Sequence, residues 1–110
     1  MDAHPRSSTA WARLRRADGG TVVLVVGGPV APHDAPWLCE RVRVLLEHSH
    51  DAGLVCEVDR VTEVEAGTID VLARIALVAR RLGRPFRLRG VAPELADLLR
   101  LVGLRDVLAR

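Results

Sequence analysis

The order in which strand-like and helix-like segments alternate is what most restricts the fold of this chain. TVVLVV at 21–26, LVCEV at 54–58 and PFRLRGV at 85–91 are short, apolar runs, the first richest in β-branched residues, and they read as strands. Between them lie two longer stretches with helical spacing. Asp34 followed by Pro36 predicts a helix from about Ala35 to Ser49, with Leu38, Val42, Leu45 and Leu46 on one face. TIDVLARIALVARRLG predicts a second helix over 68–83, ended by Gly83. Strand, helix and strand in succession imply crossovers onto a mostly parallel sheet. Upstream, TAWARLRR and the turn signal ADGG at 17–20 add an N-terminal hairpin. Downstream, PELADLLRLVGL predicts a last short helix over 93–104. GGPVAPHDAP, with two glycines and three prolines, is expected to be loop. The expected architecture is α/β: a mostly parallel sheet of four to five strands with an N-terminal β-hairpin and three to four helices.

The second helix is more apolar than one buried face requires. Ile69, Leu72, Ala73, Ala76 and Ala79 form one stripe, and Val71, Ile75, Val78 and Leu82 a second beside it, while Leu77 interrupts the polar face. The second stripe, with Leu77 beside it, predicts an exposed apolar patch of Val71, Ile75, Val78 and Leu77, hence an interface with a partner or with a second copy of the chain.

At 110 residues the chain suits one domain, expected over 10–110 behind a flexible segment 1–9. With 49% apolar and 27% charged residues the composition is globular. All sixteen basic residues are Arg, and against fourteen acids the net charge is +2, too small and too interspersed to argue for nucleic acid. Aromatics number only Trp11, Trp37 and Phe86, so base-stacking platforms are scarce. MDAHPRSSTA has no apolar core of a signal peptide, and no apolar run approaches the ~20 residues of a membrane span. Cytoplasmic location follows, with Cys39 and Cys56 expected as buried, reduced thiols.

Groups able to carry chemistry are few. Glu63, Glu65 and Asp70 cluster, but no His lies near them and acids at a helix start complement its dipole. His48 and His50 lack any third residue at metal-ligand spacing. Gly27-Gly28 is followed by no Lys, Ser or Thr at a phosphate-loop offset. No enzyme, cofactor or metal site is expected. Arg80, Arg81, Arg84, Arg87 and Arg89 form the densest basic run, with Arg87 and Arg89 on one face of the strand, expected as a solvated surface, its alternative a docking patch for an acidic partner.

Three segments resemble the STAS domain, the fold of bacterial anti-sigma-factor antagonists. GPVAPHDAPWL matches the family's exit from its second strand at Gly28, Val30, Ala35 and Pro36, with Ala31 where the family has Asp. EVDRVTEVEAGTIDVL keeps the spacing from the third strand to the second helix: Glu57 stands for one family Asp, Glu65 for another, and Ala66, Gly67 and Thr68 replace Ser-Ser-Gly. GRPFRLRGVAPELADLLRLVGL resembles the fourth strand and last helix, so the likeness covers about residues 10–108.

The resemblance implies a protein-binding module. In phospho-switch members a kinase modifies the second serine of the motif, and here that position is Gly67. Thr68 is the neighbouring candidate phosphoacceptor, its alternative role being a helix-cap hydroxyl. The partner-binding residues implied are Glu65, Ala66, Gly67, Thr68, Val71 and Ile75, and the implied partner is an anti-sigma factor or related ATPase-fold kinase. An alternative within the same fold is the cytosolic STAS subunit of a lipid-transport ABC complex, which docks on a transporter ATPase.

Overall fold

The computed structural model describes residues 9–17, 20–50 and 52–104. Four strands form one sheet in the order β1-β2-β3-β4: β1 (Trp11–Arg16), β2 (Val22–Pro29), β3 (Leu54–Thr62) and β4 (Phe86–Arg89). β1 pairs antiparallel with β2, and β2–β3 and β3–β4 are parallel. The crossovers are α1 (Ala35–Glu47), entered through a 3-10 turn at Pro32–Asp34, and α2 (Ala66–Arg81); α3 (Pro93–Leu101) follows β4. Two crossovers of one hand, stepping the same way across the sheet, set both helices on the same face.

The burial pattern agrees. Val22, Leu24, Val26, Leu54, Cys56, Val58, Phe86 and Leu88 alternate along the strands and share one core cluster with residues of all three helices, Leu38, Leu72 and Leu95 among them. Val23, whose side chain points to the opposite face, is fully buried yet stands outside that cluster. Among the described residues the fold is therefore one sheet with helices on a single side, and the other face carries no helix.

Several boundaries differ from the sequence expectation. β2 continues through Gly27, Gly28 and Pro29, where a loop was expected, because β3 pairs along all three: Gly27 sits opposite Arg60, Gly28 opposite Val61 and Pro29 opposite Thr62, with Trp11 of β1 also opposite Gly27. Local turn propensity loses to the pairing with β3. Trp11 lies over Gly27 so closely that a Cβ there would fall 2.1 Å from Cζ2. β3 gains four residues over its expected end at Val58 for the same reason, with a register shift opposite Val25–Gly27. α2 starts two residues early, while α1 and α3 stop short of Ser49 and Leu104. The Asp18-Gly19 centre of the expected hairpin turn, residues 1–8 of the expected flexible segment, and 105–110 lie outside the described residues.

Candidate functional site

Two connections meet at the start of α2: the β2–α1 loop around 30–34 and the β3–α2 loop at 63–65. Thr68 joins them. Its side chain is 1% exposed, and its Oγ1 accepts the Glu65 backbone N–H at 3.2 Å while donating to the Val30 carbonyl at 3.2 Å. Thr68 thus occupies the third position of α2, with Glu65 as the N-cap, and one hydroxyl satisfies an orphan N–H of the helix start and a loop carbonyl.

Gly67 makes the same junction tight. A Cβ there would lie 2.8 Å from Cδ and 2.9 Å from Cγ of Pro32, so the proline ring rests against the backbone of the first helical turn. The β2–α1 loop is braced by Asp34, which is fully buried. Its carboxylate accepts the Ala31 N–H at 2.9 Å and Trp37 Nε1–H at 2.9 Å. Asp34 holds the N-cap position of α1 as expected, but its side chain makes no helix-cap hydrogen bond. On the other side, Glu63 is the one non-glycine residue with positive φ, at 54°, among those described. The strained corner lies inside the motif loop.

The surface over this brace is exposed and acidic: Glu63, Glu65, Ala66 and Asp70 face solvent beside Pro32 and His33. Glu65 sets a negative charge at the positive end of the helix dipole. From there a groove of about 250 Å³ runs between α1 and α2, lined by Ala35, Pro36, Cys39, Arg74, Leu77, Val78 and Arg81. Arg74 Nε pairs with Asp70 at 2.9 Å along its rim. Burial pushes the Cys39 thiol above its ordinary value, opposed by the Arg74 charge and aided by that of Asp70.

Glu65, Ala66, Gly67 and Thr68 are brought together, but Val71 and Ile75 are not part of this surface. Both are 0% exposed. The expectation of an exposed patch is corrected: α2 packs against the sheet on one side and α1 on the other, so both apolar stripes are covered, with Val78 half-buried between them. The exposed large apolar residue of α2 is Leu77, at 43%. The hydroxyl of Thr68, the candidate phosphoacceptor, is buried and engaged on both sides. Cys39, expected to be buried, is half-exposed in the groove, whereas Cys56 is buried. Arg84 is no surface cation either: Nη1 donates to the Ser49 and Ala52 carbonyls at 2.6 and 3.2 Å, fastening the end of α1. Leu77 is the member of the expected patch that is exposed, while Pro32 and Asp34 carry no site signal of their own in the sequence. The Asp34-x-x-Trp37 spacing was the one local signal for the brace.

Among the described residues no three metal-capable side chains gather, and no helix is long and apolar enough to cross a membrane. The family model described as "Mlab, STAS domain" matches residues 14–109. The chain belongs to the STAS family. No curated protein matches it. Among solved structures, this STAS domain is similar to a serine-to-glutamate variant of RsbS from Moorella thermoacetica, with TM-score 0.72 and 24% identity, covering 89% of this chain and 85% of that one. It is also similar to the Bacillus cell-fate determinant SpoIIAA in its phosphorylated form, with TM-score 0.61 and 15% identity, covering 89% and 88%. Both likenesses concern the fold.

Proposed function

We propose that this STAS domain is a non-enzymatic, cytoplasmic protein-binding module of the anti-sigma-factor-antagonist kind that docks its partner constitutively. The docking surface comprises Glu63, Glu65, Ala66 and Gly67 of the motif loop, the adjoining Pro32 and His33, and the α1–α2 groove with Leu77 at its edge. The observation that carries the reading is the state of the switch position. Gly67 has no hydroxyl, Pro32 fills the space beside it, and the neighbouring Thr68 hydroxyl is buried between Val30 and Glu65. A loop braced in this way presents one shape and one charge, and a surface ordered before binding loses less entropy on docking.

The partner class is an ATPase-fold anti-sigma kinase. Affinity capture from lysate of the source organism, with mass-spectrometric identification, tests this using wild type, Glu65→Arg and Leu77→Asp as baits. Both altered side chains lie at exposed positions, so the fold is retained. The expected result is such a kinase retained by wild type and lost from both variants. Retention of a transporter ATPase with the same loss transfers the module to a lipid-transport complex. Equal retention by all three baits overturns the surface.

A further inference from the structure

The helix-free face of the sheet is strongly and unevenly charged. Register sets its side chains in rows: Arg13, Val25, Glu57 and Arg89 lie side by side across the four strands, as do Arg15, Val23, Val55 and Arg87. Beyond the register shift, Arg60 falls opposite Gly27, next to Trp11. A depression of about 440 Å³ opens among Trp11, Arg13, Arg15, Glu57, Asp59 and Arg60. The face thus carries five arginines against two acids, an excess of three, while the whole chain has an excess of two. All of the net positive charge is concentrated here, and the rest of the chain is slightly negative.

The arginines are held in place. Glu57, at the centre, takes Arg15 Nη2 at 2.8 Å and Arg89 Nη1 at 3.1 Å on the same carboxylate oxygen. Both arginine side chains remain 52% exposed, and a guanidinium has five donors, so most of their hydrogen-bonding capacity faces solution. Arg13 lies over the Trp11 ring at 5.5 Å. Arg87 donates to its neighbour's Phe86 carbonyl.

We propose that this face is a second docking surface, for an extended acidic segment of a protein partner with carboxylates at alternate positions. Arg13 and Arg15 on β1, and Arg87 and Arg89 on β4, are two residues apart on strands, a repeat of about 6.8 Å. An extended segment laid along either strand offers alternate side chains at the same repeat, so each carboxylate meets a fork of N–H donors. Single-stranded nucleic acid fits less well: Trp11 is the one aromatic ring on this face among the described residues, and Gly27 beneath and Arg13 above take up its two sides. A second copy fits less well too, because two faces of the same charge repel. The surface lies on the opposite side of the sheet from the α1–α2 groove, and the inference does not depend on what docks there.

The test is fluorescence anisotropy with three labelled probes at low ionic strength, where the Debye length is about 30 Å. The probes are a peptide of about eight residues alternating Glu with Thr, long enough to run along β1 or β4, a peptide of the same composition with its Glu residues contiguous, and a deoxythymidine oligonucleotide of equal charge. Arg13→Gln/Arg87→Gln removes one arginine from each pair and leaves Glu57 its two partners. Arg43→Gln/Arg100→Gln removes the same charge from α1 and α3. The alternating peptide is expected to bind wild type and the helix variant alike, more tightly than the other two probes, and about tenfold more weakly to the sheet variant. Equal binding to both variants, equal or tighter capture of either other probe, or no binding of the alternating peptide overturns the proposal.

Discussion

Gly67→Ser places a side chain and a hydroxyl in the first turn of α2, and the structure makes it a destabilising change. The new Cβ would stand 2.8 and 2.9 Å from two ring atoms of Pro32. A proline ring cannot swing aside, so the β2–α1 loop must move. Crowding of this kind costs about 1–3 kcal/mol. Movement of the loop also lengthens the Thr68–Val30 hydrogen bond, worth about 1 kcal/mol. Against this, replacing glycine within a helix gains about 0.5 kcal/mol. The net loss is about 1.5–3.5 kcal/mol, and in a domain of this size about 4 °C of Tm accompanies each kcal/mol. Calorimetry or circular dichroism should therefore show Tm falling by about 6–14 °C. Pro32→Ala deletes the two ring atoms involved, so the double variant should be more stable than the sum of the single changes by about 1–2 kcal/mol. A Gly67→Ser protein as stable as wild type, or a strictly additive cycle, would refute the brace. The same result bears on the proposed function, because a serine placed here has no free space until the loop yields.

Thr68→Val leaves the Glu65 N–H and the Val30 carbonyl without their partner and should cost about 1–3 kcal/mol in urea denaturation, whereas Thr68→Ser should stay close to wild type. Val71→Asp introduces a charge into the core and should yield no cooperative unfolding transition, while Leu77→Asp should unfold within about 0.5 kcal/mol of wild type. The chain has neither Lys nor Tyr, which makes its alkaline stability a readout of cysteine. Burial first, and then the Glu57 charge, push the Cys56 thiol from 9.0 up to about 12. A thiol whose folded value is raised stabilises the fold fully below pH 9, and the contribution disappears as pH rises towards 12. At its full extent it amounts to about 4 kcal/mol. Urea midpoints should fall steeply from about pH 9 to about pH 11, and Cys56→Ala, although less stable throughout, should flatten that slope.

The element order was legible because it rests on hydrophobic period, and period survives whatever the rest of the chain does. What pairing decides was less legible. Gly27, Gly28 and Pro29 are turn formers by local preference and strand residues here, because β3 pairs with all three and β1 with Gly27. The double stripe of α2 has the same character: its width shows that two surfaces are covered, and only the position of α1 shows that the second is not a partner's. Thr68 could be placed at a helix start from its neighbours, but its acceptor, Val30, is 38 residues away. No local pattern records that contact, so the hydroxyl looked available when it is buried. The rows of arginine on the open face depend on register among four strands: the sequence shows Arg87 and Arg89 as part of one basic run, but Arg13, Arg15 and Arg60 only as scattered charges.

The central claim is that the braced loop and the groove beside it meet the partner without a phosphate. Hydrogen-exchange mass spectrometry of the chain, free and bound to the ATPase it captures, with the same sample checked for phosphorylation, tests it most directly. The account predicts slowed exchange on binding across 61–68 and the start of α1 in a protein carrying no phosphate. Protection confined to β1 and β4, or a complex that forms only when the chain is phosphorylated, would contradict it.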